Sequence, residues 1–287
     1  MKNYLSLIKF SHTIFALPFA LVGFFLANYQ AKKTLDFRTL ALIILCMIFA
    51  RSAAMAFNRY LDRDIDAKNP RTVIREIPAG IITPQSALLF IIINCVAFVS
   101  VTYFINPICF YLSPVALLVV LGYSYTKRFT ALCHFVLGLG LSLAPIGAYL
   151  AVTGHFDMIP LLYSATVMLW VSGFDIIYAL QDEDFDKSLK LNSIPVLLGK
   201  KGALQLSNIL HILSACFLLF AVYSVNNISD KFGIIHWIGA TVFVSLLFYQ
   251  HTLVKVNDLS KINLAFFTTN GIASVIYGSF FILDYFV

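Results

Sequence analysis

Charged side chains are what this sequence has least of: Asp, Glu, Lys and Arg together make up 12% of its 287 residues, about half the share of a soluble domain. That shortage excludes a water-soluble fold, because too little polar surface exists to cover a core of this size. The five cysteines (Cys46, Cys95, Cys109, Cys133, Cys216) form no CxxC pair and lie in or beside apolar runs, so neither a disulfide frame nor a cysteine metal set is indicated. None of the six histidines has metal-ligand spacing, so packing or hydrogen bonding is expected of each, His12 and His134 included. No glycine-rich phosphate loop, GxSxG or Ser/His/Asp order stands out, which argues against the P-loop and serine-hydrolase classes.

What remains is mostly hydrocarbon. Apolar types reach 60%, aromatics 15%, and mean hydropathy is +0.86, the signature of a multi-span membrane protein. Apolar stretches long enough to cross about 30 Å of hydrocarbon fall near 10–30, 40–61, 84–104, 107–126, 131–152, 159–181, 202–225, 232–254 and 262–285. The first has the basic start of a secretory signal but no small-residue cleavage site, so it is read as a span. The expected fold is all-α and polytopic: nine transmembrane helices around a central cavity, with residues 1–287 as one domain.

The net charge of +6 does not point to nucleic acid, since no basic run is interleaved with a soluble fold. Basic residues instead sort by side. With the N-terminus inside, fifteen lysines and arginines fall in inner segments, four in outer loops, and Arg51 within a span. That asymmetry places the inner segments in the cytoplasm, in a cytoplasmic (inner) membrane.

Against this background seven of the fourteen acidic residues gather in two near-copies of one segment. The first is LDRDIDAKNPRT, with Asp62, Asp64 and Asp66. The second is LQDEDFDKSLKLNS, with Asp182, Glu183, Asp184 and Asp186, and with Asp175 upstream. Each is followed by Ile-Pro (Ile77-Pro78, Ile194-Pro195), and four spans separate them, which suggests an internal duplication whose halves face each other. Asn58, Asp62 and Asp66 recur at helical spacing on one face, as do Asp175, Tyr178, Asp182 and Asp186. Two carboxylate faces at one membrane interface suit Mg²⁺ held against a diphosphate, because Mg²⁺ takes one or two carboxylates and fills its octahedron with water and phosphate oxygens. An EF-hand is excluded, since Ala67 and Lys187 stand where that loop needs glycine, and Val73 and Ser193 where it needs glutamate.

Plainer readings stay open. Either segment alone is equally a solvated, charge-rich loop; a mutual structural pairing of Asp175 and Arg51 also stays open, although function is the default reading for charges within an apolar span. Arg71 and Arg128 are equally helix-end anchors at the headgroups. Lys127, behind Tyr123 and Tyr125, is the better candidate to neutralise a leaving diphosphate. An ion-coupled transporter would use Asp175 and Arg51 as coupling charges, but it would place its ion sites near the midplane, away from an interface.

The paired patterns Asn58-x-x-x-Asp62-x-x-x-Asp66 and Asp175-x-x-Tyr178-x-x-x-Asp182-x-x-x-Asp186 resemble the signature motifs of the UbiA-type intramembrane aromatic prenyltransferases. The similarity extends along the chain through IKFSHTIFALPFAL, YSYTKR, HFVLGLGLSLAPIGAYLA, SIPVLLGKKGA and NLAFFTTNGIAS. One departure is Asn58-Arg59, where the family commonly has Asn-Asp. The resemblance implies a cavity capped on the cytoplasmic side and Mg²⁺-dependent transfer of a polyprenyl chain from its diphosphate to an aromatic ring carbon. Within the family the chain looks most like the 4-hydroxybenzoate polyprenyltransferase branch, which includes relatives serving menaquinone synthesis with a dihydroxynaphthoate acceptor. The expected metal set is Asn58, Asp62, Asp66, Asp175, Asp182 and Asp186, with Lys127 completing the catalytic group. Arg51, Tyr178, Lys9, Arg63 and Arg71 are the expected substrate contacts. Partners are the donor diphosphate, a small aromatic acid and the bilayer, with no nucleic acid and no obligate protein partner.

Overall fold

In hydrocarbon every backbone N–H has to be satisfied within the chain, so each apolar run folds as helix. The computed structural model describes residues 2–8, 15–228 and 231–287; Lys9 and His12 lie outside the described residues. The helices are α1 (Lys2–Leu7), α2 (Leu17–Gln30), α3 (Phe37–Leu61), α4 (Arg63–Asp66), α5 (Pro84–Tyr103), α6 (Pro107–Thr126), α7 (Cys133–Thr153), α8 (Met158–Ala179), α9 (Glu183–Ser188), α10 (Ile194–Ile228), α11 (Ile234–Leu253) and α12 (Asn270–Phe286). A 3₁₀ turn (Leu180–Asp182) joins α8 to α9, and a π-helical segment (Leu264–Thr269) leads into α12. Among the described residues eight helices are long and apolar enough to cross a membrane, and the protein is all-α and polytopic.

Short polar side chains and prolines set the helix starts. Asp36, Thr83, Asn106 and Asp157 each accept a backbone N–H at an N-terminus, and Pro84 and Pro107 open α5 and α6, where a missing N–H goes unnoticed. The first apolar run departs from its expected span over 10–30. Its helix among the described residues is the 14-residue α2, about 21 Å long against the roughly 30 Å of a hydrocarbon core. Pro18 sits in the first turn of α2, where a missing N–H is tolerated. The seventh run begins earlier than 202, as α10 opens at Ile194 and breaks at Gly199, whose φ of 68° suits a residue without Cβ.

The long helices from α3 to α12 pack against their neighbours in chain order, and α12 returns against α2. α2 also lies along α7 at Gly23, where an added Cβ would collide with the Pro145 carbonyl. The densest core joins α2, α8, α11 and α12 around Phe19, Trp170, Phe243 and Tyr277, whose rings sit 5.2–5.9 Å apart. On the other side, α3, α5, α6 and α7 enclose a carbon-lined cavity of about 380 Å³. Tyr111 and Leu118 on α6 point outward, 75% and 74% exposed, as lipid-facing residues do.

Candidate active site

The same backbone break places both acidic segments. α3 stops at Leu61, Asp62 takes φ −88° and ψ 5°, and α4 restarts to carry Asp66. α8 stops at Ala179, and after the 3₁₀ turn Asp182 takes φ −102° and ψ 3° before α9 carries Asp186. The continuous helix faces expected from the spacing are therefore interrupted at the middle aspartate of each copy. The break does not scatter the side chains. Asn58, Asp62, Asp66, Asp175, Tyr178, Asp182 and Asp186 all line one polar cavity of about 610 Å³.

The two halves close this cavity by exchanging contacts. From the loop after the first segment, Arg71 forks Asp182, Nε to Oδ1 at 3.2 Å and Nη2 to Oδ2 at 2.5 Å, and Asn69 Nδ2 reaches Oδ1 at 3.4 Å. From the loop after the second segment, the Asn192 N–H donates to the Lys127 carbonyl at 2.7 Å, beside the cations that hold Asp62. Arg128 Nη2 donates to Asp62 Oδ1 at 2.8 Å, Lys127 Nζ lies 3.7 Å from Oδ2, and Asn58 Nδ2 donates to Oδ2 at 3.1 Å. Arg75 Nη1 bonds both oxygens of Asp66, at 2.7 and 2.8 Å. Burial weakens the charge on Arg71, but Asp182 and Tyr178 outweigh it and hold the guanidinium above its ordinary range.

Asp175 is held by α7. His134 Nδ1 sits 2.7 Å from its Oδ2, and the Ile194 N–H points at His134 Nε2 at 3.3 Å. With Nε2 accepting, the proton on Nδ1 faces the carboxylate. The hydrogen-bonding role expected of His134 is thus met, and a mutual Asp175–Arg51 pair is not formed. Arg51 instead projects from α3 to the junction of the polar and carbon-lined cavities, which share Arg51, Met55, Tyr123, Leu137 and Leu141. Its Nε is buried without a hydrogen-bond partner.

Three outcomes differ from the sequence reading. Arg63 turns away from the cavity, stacks 4.8 Å over Tyr60 and donates to the Tyr60 carbonyl at 2.7 Å, because the break at Asp62 rotates α4. Arg128, for which a headgroup anchor was equally open, grips Asp62. Arg75 is a cavity residue that spacing gave no way to find, since its partner Asp66 is nine positions away across a loop. Lys9 lies outside the described residues.

Among the described residues no three His, Cys, Asp or Glu side chains converge as a closed cage for an ion. Buried carboxylates facing a roomy cavity are the donor set of a hard cation that shares its shell with water and ligand oxygens. They fit Mg²⁺ and do not fit a structural zinc.

Comparison with known proteins agrees with this architecture. A model of the UbiA prenyltransferase family matches residues 16–272. Proteins named 4-hydroxybenzoate octaprenyltransferase are similar: that of Saccharophagus degradans is 29% identical over 249 residues, covering 84% of this chain and 79% of its own length. That of Vibrio atlanticus is 30% identical over 258 residues, covering 88% and 87%. Among solved structures, an apo UbiA homolog from Aeropyrum pernix K1 superposes with TM-score 0.85 and 30% identity, covering 95% of this chain and 98% of its own. A UbiA homolog from Archaeoglobus fulgidus bound to GPP and Mg²⁺ shares the fold at TM-score 0.75 and 20% identity, covering 99% and 100%.

Proposed function

The chain belongs to the UbiA prenyltransferase family, and on that premise we propose that it transfers a polyprenyl chain from its diphosphate to a ring carbon of 4-hydroxybenzoate, with Mg²⁺, in quinone biosynthesis. One observation carries the reading: the loop after each acidic segment reaches the other half, so both segments face one polar cavity that adjoins a carbon-lined one. The similar proteins named as 4-hydroxybenzoate octaprenyltransferases support the choice of acceptor. The orientation follows the basic residues: nine spans with α2 counted among them, the N-terminus and a capping pair of loops on the cytoplasmic side of the inner membrane, and one domain throughout.

Asp62, Asp66, Asp182 and Asp186, with Asn58 and Asp175, would hold the ion. When bound, Mg²⁺ would offset the charge that builds on the leaving oxygen. Lys127, Arg71, Arg75 and Arg128 already bear on these carboxylates and are placed to face diphosphate oxygens. The allylic C–O bond breaks, its electron pair leaves with the diphosphate, the ring carbon bonds to the allylic carbon, and the ring proton passes to the released diphosphate. Arg51, at the junction, faces the acceptor carboxylate. Tyr178 supports Arg71. The apolar lining around Met55, Leu137 and Leu141 keeps water from the allylic carbon.

The test incubates purified protein with Mg²⁺, a polyprenyl diphosphate and, separately, 4-hydroxybenzoate, dihydroxynaphthoate and homogentisate, with products read by mass. Prenylated 4-hydroxybenzoate is the expected product; product from dihydroxynaphthoate alone would move the chain to the menaquinone acceptor. Chelation by EDTA should abolish turnover and excess Mg²⁺ restore it. Asp62→Ala and Asp182→Ala should each lose at least about 100-fold in rate. Normal turnover by either variant discards the ion-site assignment.

A further inference from the structure

The second half contains a closed circuit of hydrogen bonds that the proposed chemistry does not use. Trp170 Nε1, a donor only, gives its proton to Asn270 Oδ1 at 2.7 Å. Asn270 Nδ2 donates to Gln250 Oε1 at 3.2 Å, and Gln250 Nε2 to His211 Nδ1 at 3.2 Å. His211 Nε2 returns to the Trp170 carbonyl at 3.1 Å, and His251 Nε2 meets His211 Nδ1 at 2.7 Å. A donor-only indole at one end and an acceptor-only carbonyl at the other fix every proton between, so both amides and the imidazole have a single orientation. Trp170, His211, Gln250 and Asn270 are each at most 1% exposed, and a break in such a circuit would leave a costly orphan.

Asn270 is where this circuit meets the π-helical segment Leu264–Thr269. Its Nδ2 also reaches the carbonyls of Ala265 at 3.0 Å and Phe266 at 2.9 Å, while Thr269 Oγ1 donates to the Leu264 carbonyl at 3.0 Å. A π turn is rare because its wide ring bonds poorly, and these side chains satisfy the carbonyls it spreads apart. The consequence is placement. Phe266 lies against Tyr178 with centroids 4.1 Å apart and planes at 29°, and meets the edge of Phe174 at 5.3 Å. The Tyr178 hydroxyl accepts from Arg71 Nη1 at 3.1 Å, and the Arg71 guanidinium lies 5.6 Å over the Tyr178 ring while it forks Asp182.

We propose that Asn270 is a positioning residue of the acidic site: through the π segment it sets Phe266 behind Tyr178, and through Tyr178 it sets the aim of Arg71 at the diphosphate. This rests on the diphosphate reading of that site. One step of α-helical register in place of the π turn would swing Phe266 by about 100° around the helix, away from Tyr178.

The experiment measures KM for the polyprenyl diphosphate and for the aromatic acceptor in Asn270→Ala, Phe266→Leu and Phe266→Tyr. Asn270→Ala and Phe266→Leu should raise the diphosphate KM at least about tenfold and leave the acceptor KM within about twofold, and Phe266→Tyr, which keeps the ring, should recover most of the loss. A merely structural role would lower kcat with the folded fraction and leave both KM values alone; that result overturns the proposal. Should Asn270→Ala fail to fold, the two Phe266 variants decide. If Asp182→Ala turns over normally, the diphosphate reading falls, and the positioning role with it. If Asp182→Ala is inactive while Phe266→Leu keeps its diphosphate KM, only the positioning role falls.

Discussion

Two arginines in the same short stretch divide the site from its surroundings. Arg75 bonds both oxygens of Asp66 inside the polar cavity, whereas Arg63 rests on Tyr60 outside it. Arg75→Gln should therefore cut prenyl transfer at least about tenfold, and Arg63→Gln should leave it within about twofold, as product formation in purified protein would measure. Equal loss in both would mean that bulk positive charge is at work and the specific contact is not. The motif aspartates were legible in the sequence because carboxylates are rare in this chain and recur at helical spacing. Arg75 was not, because a contact made across an aperiodic loop leaves no period to read. Arg128 shows the same limit from another side: a cation at a helix end looks alike whether it meets headgroups or Asp62.

At the level of elements, hydropathy located the long helices to within a few residues, except the seventh run, whose helix α10 opens eight residues before the expected 202; polar caps and prolines marked many of their starts. What hydropathy could not reveal was the interruption at Asp62 and Asp182, where no capping bond marks the break and the carboxylates meet cations of other elements. Nor could it show how closely two helices approach. Gly23 on α2 and Gly138 on α7 lie where an added Cβ would strike backbone of Pro145 and Met168. Gly23→Ala or Gly138→Ala should destabilise the bundle by about 1–3 kcal/mol, seen as a drop of several degrees in the detergent Tm, since neither backbone can yield without moving a helix. An unchanged Tm would show that α2 and α7 (for Gly23) or α7 and α8 (for Gly138) slide apart freely.

For the whole molecule, the apolar cavity among α3, α5, α6 and α7 is the space that fits a hydrocarbon tail. Ala144→Phe, which projects a ring into that space, should shift preference by about tenfold toward shorter-chain diphosphates when two donors compete for limiting enzyme. No shift would place the tail elsewhere. The sidedness proposed from the basic residues has its own check: a cysteine introduced at Lys200 should react with an impermeant maleimide in inverted vesicles and not in intact cells. The five residues common to both cavities bring a final consequence. Arg51, Met55, Tyr123, Leu137 and Leu141 line both chambers. On the proposed chemistry, the tail lies in one chamber and the headgroup in the other, so a ring already lodged against these five residues would stand in the donor's way. Turnover should then follow a compulsory queue, donor ahead of acceptor, with excess acceptor acting as a dead-end inhibitor that saturating donor relieves.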